Sequence, residues 1–340
     1  MATKKNVLGV TEADHSDGVS TEDYNQIDPG ILDCFPPTKF PVNLFHLREQ
    51  VGMLTQIYTA GKEVDNKSRA RFKELSEQGV LFFTRNQIEQ YTASVACSLG
   101  TALDDPNLTW EEKSGVFIGE LKRRQDAVFT HPMPQELEDL RQTIETLCVY
   151  LIEDNHRMSK VAQDVHNDLT PERRRINASL MALAIYVEMH KGDILSETLE
   201  LVTLGFFLYD IGMSKVSHLM IARPNQLTPF EQRSLHEHPV QSLEILKRLN
   251  LVRPEIIEPA IQHHERLNGT GYPKKISGDR ISKLGRIVAV ADSYSAMVTD
   301  TAQRKGFSPI GAAAELVKNE KQYDPITCRT LVRFLQTVPS

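Results

Sequence analysis

His263-His264-Glu265-Arg266-Leu267-Asn268-Gly269-Thr270-Gly271-Tyr272-Pro273 sets two adjacent histidines and a glutamate directly before a glycine-spaced turn. Imidazole nitrogens and carboxylate oxygens are ligands for Zn, Fe and Mn. Gly269, Gly271, Pro273 and Gly278 make residues 268–280 a loop, and the periodicity of 254–266 places the histidines at the end of a helix. Outward from this stretch, apolar residues recur with helical spacing over 172–190, 196–213, 228–249, 282–298, 308–319 and 325–337. Thr228-Pro229-Phe230-Glu231 reads as a helix start, with threonine at the N-cap, proline at N1 and glutamate at N3. Strand signals are nearly absent beyond Pro171, so this part of the chain is expected to be an all-helical bundle.

Asp210, His238 and Asp292, like His263 and His264, fall at or near the ends of these apolar segments. Bundles build metal sites from side chains on several helices, and two metals a few Å apart can share a hydroxide that attacks a phosphodiester. A single histidine beside a helix is more often a surface or satisfied core residue. Five candidates at such positions are harder to explain that way. His218 and His236 are set aside, the latter because a residue two before His238 would face away from it on a helix. His166 and His190 are assigned no role.

With 340 residues the chain has room for two domains. Its 39 basic and 45 acidic residues leave a net charge of −6, with no general attraction for nucleic acid or an anionic membrane. Cys34, Cys97, Cys148 and Cys328 have no paired spacing, which argues against a disulfide framework or a cysteine zinc site and fits a reducing cytoplasm. The first residues lack the apolar stretch of a secretory signal, and the apolar run 201–208 is far short of the roughly 20 residues that span a bilayer. A soluble cytoplasmic chain is expected. Residues 1–30 read as a flexible tail and 31–135 as a small α+β module, with a capping-box-like helix start at Thr109-Trp110-Glu111-Glu112. Residues 136–160 read as a connecting helix with apolar positions Leu137, Leu140, Ile144, Leu147, Val149, Leu151 and Ile152. That face either packs on its own domain or holds a homodimer together. The helical domain is assigned to 161–340.

Residues of about 155–325 resemble the HD-GYP family, bacterial metal-dependent phosphodiesterases that hydrolyse cyclic di-GMP. The resemblance runs through Tyr209-Asp210-Ile211-Gly212-Met213, where the family has His-Asp-Ile-Gly-Lys, and through Arg223-Pro224-Asn225-Gln226-Leu227-Thr228 and His236-Glu237-His238-Pro239. His263 to Pro273 matches in full, and Arg286-Ile287-Val288-Ala289-Val290-Ala291-Asp292 resembles the block that carries the distal aspartate. It implies a mainly α, HD-type bundle behind a small N-terminal module. It also implies one metal on Asp210, His238, His263 and His264, and a second shared between Asp210, Asp292, a histidine at position 209 and an earlier one within 172–175.

Here position 209 is tyrosine, whose unperturbed pKa near 10 makes it a poor ligand, and 172–175 is Glu-Arg-Arg-Arg. Met213, Ser295 and Thr301 stand where the family has a lysine, an acid and an arginine. Tyr272, Arg304, Gly269 and Gly271 remain as candidate ligand-binding residues. The resemblance therefore implies a degenerate member that holds one divalent metal (Fe, Mn or Zn) and has lost the second. An arginine of 173–175 is expected to pair with Asp292 in that metal's stead. As a binding or interaction module it would engage cyclic di-GMP, or a GGDEF-type partner through the Gly-Tyr-Pro loop. As an active phosphodiesterase it would yield pGpG or GMP.

Overall fold

The computed structural model describes residues 23–338 apart from 28, 33–34, 37, 49–52, 96–98, 100–102, 104–107, 154–156, 191–195, 222–225 and 302–303. Most of the expected tail, Cys34, Cys97 and the Arg223-Pro224-Asn225 part of one motif lie outside the described residues. The chain divides into two compact units, Met1–Phe117 and Ile118–Ser340. The division falls earlier than residue 135, inside a helix.

The first unit contains β1 (Tyr24–Gln26), α1 (Pro29–Leu32), β2 (Leu44–Arg48), β3 (Met53–Tyr58), α2 (Asn66–Glu77), β4 (Leu81–Thr84) and α3 (Ile88–Val95). The strands form one antiparallel sheet in the order β1-β4-β2-β3, with Tyr24 opposite Thr84 and Phe45 opposite Phe82. Order thus begins before Ile31. Three residues are too few to show a period-two pattern, and β1 is fixed by its pairing with the distant β4. Asp65 caps α2, accepting the Ser68 N–H at 2.7 Å, the helix-start chemistry short polar side chains supply. Phe35, Phe40, Phe72, Phe83 and Tyr91 fill the core, Phe83 and Tyr91 stacking at 4.1 Å.

A helix shared by both units, α4 (Trp110–Thr130), starts on the expected capping box: Thr109 N–H donates to Glu112 at 2.8 Å and Glu112 N–H to the Thr109 hydroxyl at 3.3 Å. Then come α5 (Pro134–Glu153), α6 (Arg157–Asn167), α7 (Arg174–Met189) and α8 (Ser196–Leu208). The expected connecting helix is thus described as two helices, on either side of 154–156. Its stripe buries Leu137, Leu140, Ile144, Leu147 and Leu151 in the second unit, where α5 packs on α8, while Val149 and Ile152 stay half exposed.

The centre of the second unit is α7. Ile176, Ala178 and every residue from Leu180 to Ile185 are buried, and a helix apolar on all sides belongs inside a bundle. It packs on α6, α8 and two later helices, α13 (Lys283–Val298) and α15 (Pro325–Leu335). Between them lie α9 (His218–Ile221), α10 (Pro229–His236), α11 (His238–Arg248), α12 (Pro254–Gln262) and α14 (Pro309–Lys318).

Two expected helices are interrupted, and both breaks occur at the site. After α8 the chain leaves the helix at Tyr209-Asp210 and makes a 3-10 turn over Ile211–Lys215. The segment 228–249 breaks at Glu237, between α10 and α11. Pro239 explains the second break, since it has no N–H to offer the Leu235 carbonyl four residues earlier. No helix among the described residues is long and apolar enough to cross a membrane.

Candidate metal centre

The Leu235 carbonyl left over by Pro239 accepts instead from Nδ1 of His238, at 2.7 Å. His263, at the C-terminal end of α12, uses its own Nδ1 in the same way on the Ala260 and Pro259 carbonyls, at 2.9 and 3.2 Å. Last-turn carbonyls have no helical partner, so both rings find acceptors close by. A neutral imidazole that donates through Nδ1 carries its lone pair on Nε2. The two Nε2 atoms point at each other across 3.1 Å, and Oδ1 of Asp210 lies 3.3 Å from one and 3.9 Å from the other.

Asp210 reaches this point because Gly212 has no side chain. A Cβ there would stand 1.9 Å from the His238 carbonyl oxygen and 2.7 Å from the Ser242 nitrogen. The 3-10 turn therefore presses directly onto α11, held by the Gly212 N–H on the Ser242 hydroxyl at 2.8 Å. A ring nitrogen of His264 completes the group, lying with those of His238 and His263 within 4.8 Å of one another.

Two bare ring nitrogens and a carboxylate oxygen converge with no donor among them, and the buried Asp210 Oδ1 has no hydrogen-bond partner. Acceptors brought this close require a proton or a cation between them. Ligand bonds of about 2.1 Å put neighbouring donor atoms roughly 3 Å apart, close to the separations found here. Asp210, His238, His263 and His264 fit a divalent metal. Burial pushes the Asp210 carboxyl up to about 6, against the pull of His238. It also pushes His263 down to about 3 and His264 well below the usual histidine range, so both rings are neutral at physiological pH.

Asp292, on α13, is brought to the same site but has a different environment. Its Oδ1 accepts the Tyr209 hydroxyl at 2.9 Å and Nη2 of Arg174, in the first turn of α7, at 3.2 Å. Burial would raise its pKa, yet Arg174, His263 and the Tyr209 hydrogen bond outweigh it and hold the carboxyl below the usual range. Tyr209 is fully buried, its edge against the His263 ring at 5.0 Å. Burial, reinforced by Asp292 and Asp210, drives its pKa well above that of a free phenol. It is a neutral donor here. Of the three arginines expected as partners for Asp292, Arg174 makes the contact. Arg173 pairs with Asp164 and Asp168, and Arg175 pairs with Asp126 and covers the Phe129 ring.

The loop candidates make contacts within the scaffold. Glu265 is buried and anchors the loop, its two oxygens accepting the N–H groups of Lys274 at 2.7 Å and Ile276 at 3.1 Å. Gly271 passes so close to that arm that a Cβ would be 2.4 Å from the His264 carbonyl, and Gly269 turns the chain at φ +76°. Tyr272 stacks on His264 at 4.5 Å and on His236 at 4.1 Å. His236 stays outside the histidine group, as expected, but for another reason: the break at Glu237 takes it off the helix of His238 and onto the tyrosine. Arg304 donates to the Ala296 and Met297 carbonyls near the end of α13, at 2.8 and 3.0 Å, and does not join the histidine cluster. His166 bonds the Tyr294 hydroxyl at 2.8 Å and His190 the Tyr186 carbonyl at 2.8 Å. The side chain of His218 lies outside the described residues. Sequence reasoning missed the anchoring of Glu265 and the stacking of His236, although the Glu237-His238-Pro239 break was a local signal for the latter.

Residues 156–326 match a family model described as HD domain. A cyclic di-GMP phosphodiesterase of Pseudomonas aeruginosa is 30% identical over 136 residues, which are 40% of this chain and 33% of that protein. The cyclic di-GMP phosphodiesterase PdeB of Borreliella burgdorferi is 28% identical over 165 residues, 48% of this chain and 42% of that protein. A 3'3'-cGAMP-specific phosphodiesterase of Vibrio cholerae is 31% identical over 134 residues, 39% and 29% of the two chains. The matched stretch therefore spans less than half the length of each relative. Among solved structures, an HDG"Y"P protein from Bdellovibrio bacteriovorus superposes with a TM-score of 0.60 at 17% identity, covering 92% of this chain and all of that one, a likeness of fold.

Proposed function

The chain belongs to the HD domain family, in its HD-GYP group, and from that premise we propose that it is a one-metal, catalytically impaired member that works in cyclic di-GMP signalling by binding. Asp210, His238, His263 and His264 hold a single divalent metal (Fe, Mn or Zn), which would supply a Lewis acid for a phosphate oxygen when bound. The observation that carries the reading is the Tyr209 hydroxyl on Asp292 at 2.9 Å. A phenol that spends its proton on the neighbouring carboxylate leaves no ligand at the place where the family pair has histidine. The second metal is lost, and turnover with it.

Relatives that carry the names of cyclic di-GMP and 3'3'-cGAMP phosphodiesterases support a cyclic dinucleotide as ligand. A cytoplasmic location follows from that ligand class. GGDEF-type partners at the Gly-Tyr-Pro loop, and a homodimer through the α5 face, belong to the same proposal. Its boundaries are a module over 31–135, a connecting segment over 136–160 and the HD-GYP-like domain over 161–340.

The test is titration of metal-loaded protein with cyclic di-GMP, with binding followed by calorimetry and products by chromatography. Binding without pGpG or GMP is the expected result. Product formation at an enzyme's rate would make the chain an active phosphodiesterase and overturn the reading, and absence of both binding and product would leave protein partners as its role.

A further inference from the structure

Two buried carboxylates, Asp210 and Asp292, stand in one site, and the protein balances them in opposite ways. Asp210 faces ring nitrogens that offer no proton, and its Oδ1 is unpartnered. Asp292 is supplied by the chain itself, with a guanidinium and a phenol on a single oxygen.

We propose that Arg174 and Tyr209 form a built-in cation plug on Asp292, and that these two side chains, with the carboxylate itself still in place, limit the centre to one metal. The proposal rests on the reading of Asp210 and the three histidines as a metal site. A carboxylate oxygen has about two lone-pair directions, and on Oδ1 of Asp292 the hydroxyl at 2.9 Å and the guanidinium at 3.2 Å use both. Arginine stays charged at any pH a protein meets. Deprotonation therefore cannot remove the plug, as it could for a histidine or lysine in its place. The flanking arginines are committed elsewhere, Arg173 to Asp164 and Asp168 and Arg175 to Asp126, so neither duplicates Arg174. Arg174 is 46% exposed along its side chain, whereas Tyr209 is buried. The plug is thus a cation at the mouth of the site and a phenol inside it, both on one oxygen of Asp292.

The experiment counts metal on the full chain after chelation, anaerobic reloading with Mn(II) and desalting, by mass spectrometry of the metal and by electron paramagnetic resonance. Wild type is expected to hold one Mn(II) per chain with the spectrum of an isolated ion. The double variant Tyr209→His with Arg174→His exchanges the plug for two ligands, and is expected to hold two with an exchange-coupled spectrum. Adding Asp292→Asn to that variant returns the count to one.

Two metals on wild type, or one on a double variant that melts cooperatively, overturns the plug. Should the double variant not fold, Arg174→Ala carries the test: it takes up a second, weaker Mn(II) at a concentration where wild type takes none, and equal uptake overturns the proposal. The two readings fail separately. A chain that ignores cyclic di-GMP but gives these counts loses the signalling role and keeps the plug, whereas a wild type without metal loses both.

Discussion

Replacing Tyr209 by phenylalanine removes one hydroxyl from a buried ring and leaves its packing against His263 intact. Asp292 Oδ1 then loses the donor at 2.9 Å and keeps Arg174 at 3.2 Å. A hydrogen bond to a charged group contributes about 1.5–3 kcal/mol. Because the retained arginine is partly open to solvent and still balances the charge, a loss of about 2 kcal/mol is expected. Urea denaturation measures it, on metal-free and metal-loaded protein. The hydroxyl is not a ligand in this geometry, so metal raises the stability of both proteins equally.

The pH dependence gives a second check. The folded-state pKa of Asp292 is depressed, because Arg174, His263 and Tyr209 outweigh burial. Its stabilising contribution is therefore complete above the unfolded value of about 4 and is lost only as pH falls below that. The loss caused by the substitution should be the same at about pH 7 and about pH 5. A loss under about 0.5 kcal/mol, or one that halves between those two pH values, refutes the account of Asp292. Metal stabilisation that vanishes in the variant refutes the claim that Tyr209 stays off the metal.

Asp210 predicts the opposite pH behaviour in the metal-free protein. Its pKa is raised by burial to about 6 from 3.8, so metal-free stability falls as pH rises through that window, by on the order of 2–3 kcal/mol. Asp210→Asn should flatten the profile and abolish thermal stabilisation by added Mn(II), both visible in melting curves. Glu265→Gln places an amide against an N–H that needs an acceptor. It should cost about 2 kcal/mol in urea and speed amide exchange at Lys274 and Ile276, and unchanged exchange there would rule out the anchor. Gly212→Ala forces a Cβ into the His238 carbonyl and should destabilise by about 3 kcal/mol or more. A neutral result would mean that the 3-10 turn does not press on α11 as described.

The helical half was legible because its buried faces repeat at helical spacing, and α7, α13, α14 and α15 fall within two residues of their expected ends. The breaks at Tyr209-Asp210 and Glu237 were less legible, since periodicity continues across them and only local chemistry such as Pro239 marks the interruption. Tyr24–Gln26 was hidden for another reason: a three-residue strand is defined by its partner, β4. At the site, residue types were enough to nominate Asp210, His238, His263, His264 and Asp292. An arginine of 173–175 was expected on Asp292 as well, but not which of the three makes the contact, because that is a matter of register at the start of α7. Arg304 was nominated by its charge, and in the structure its guanidinium lies on the Ala296 and Met297 carbonyls near the end of α13.

The stretch from His263 to Pro273 is held in part by its own loop, which runs on to Ile276. Glu265 takes the amides of Lys274 and Ile276, Tyr272 N–H returns to the His264 carbonyl at 3.2 Å, and Gly271 leaves no room for a side chain against the arm it crosses. The words of this motif are therefore dictated by the loop's own assembly as well as by any reaction above it. Loss of the chemistry would not free the loop's sequence to change, whereas Tyr209 and Arg174 take part in none of these loop hydrogen bonds and donate to Asp292 instead. The motif that looks most like an enzyme is therefore the part least able to report on whether a reaction takes place beside it.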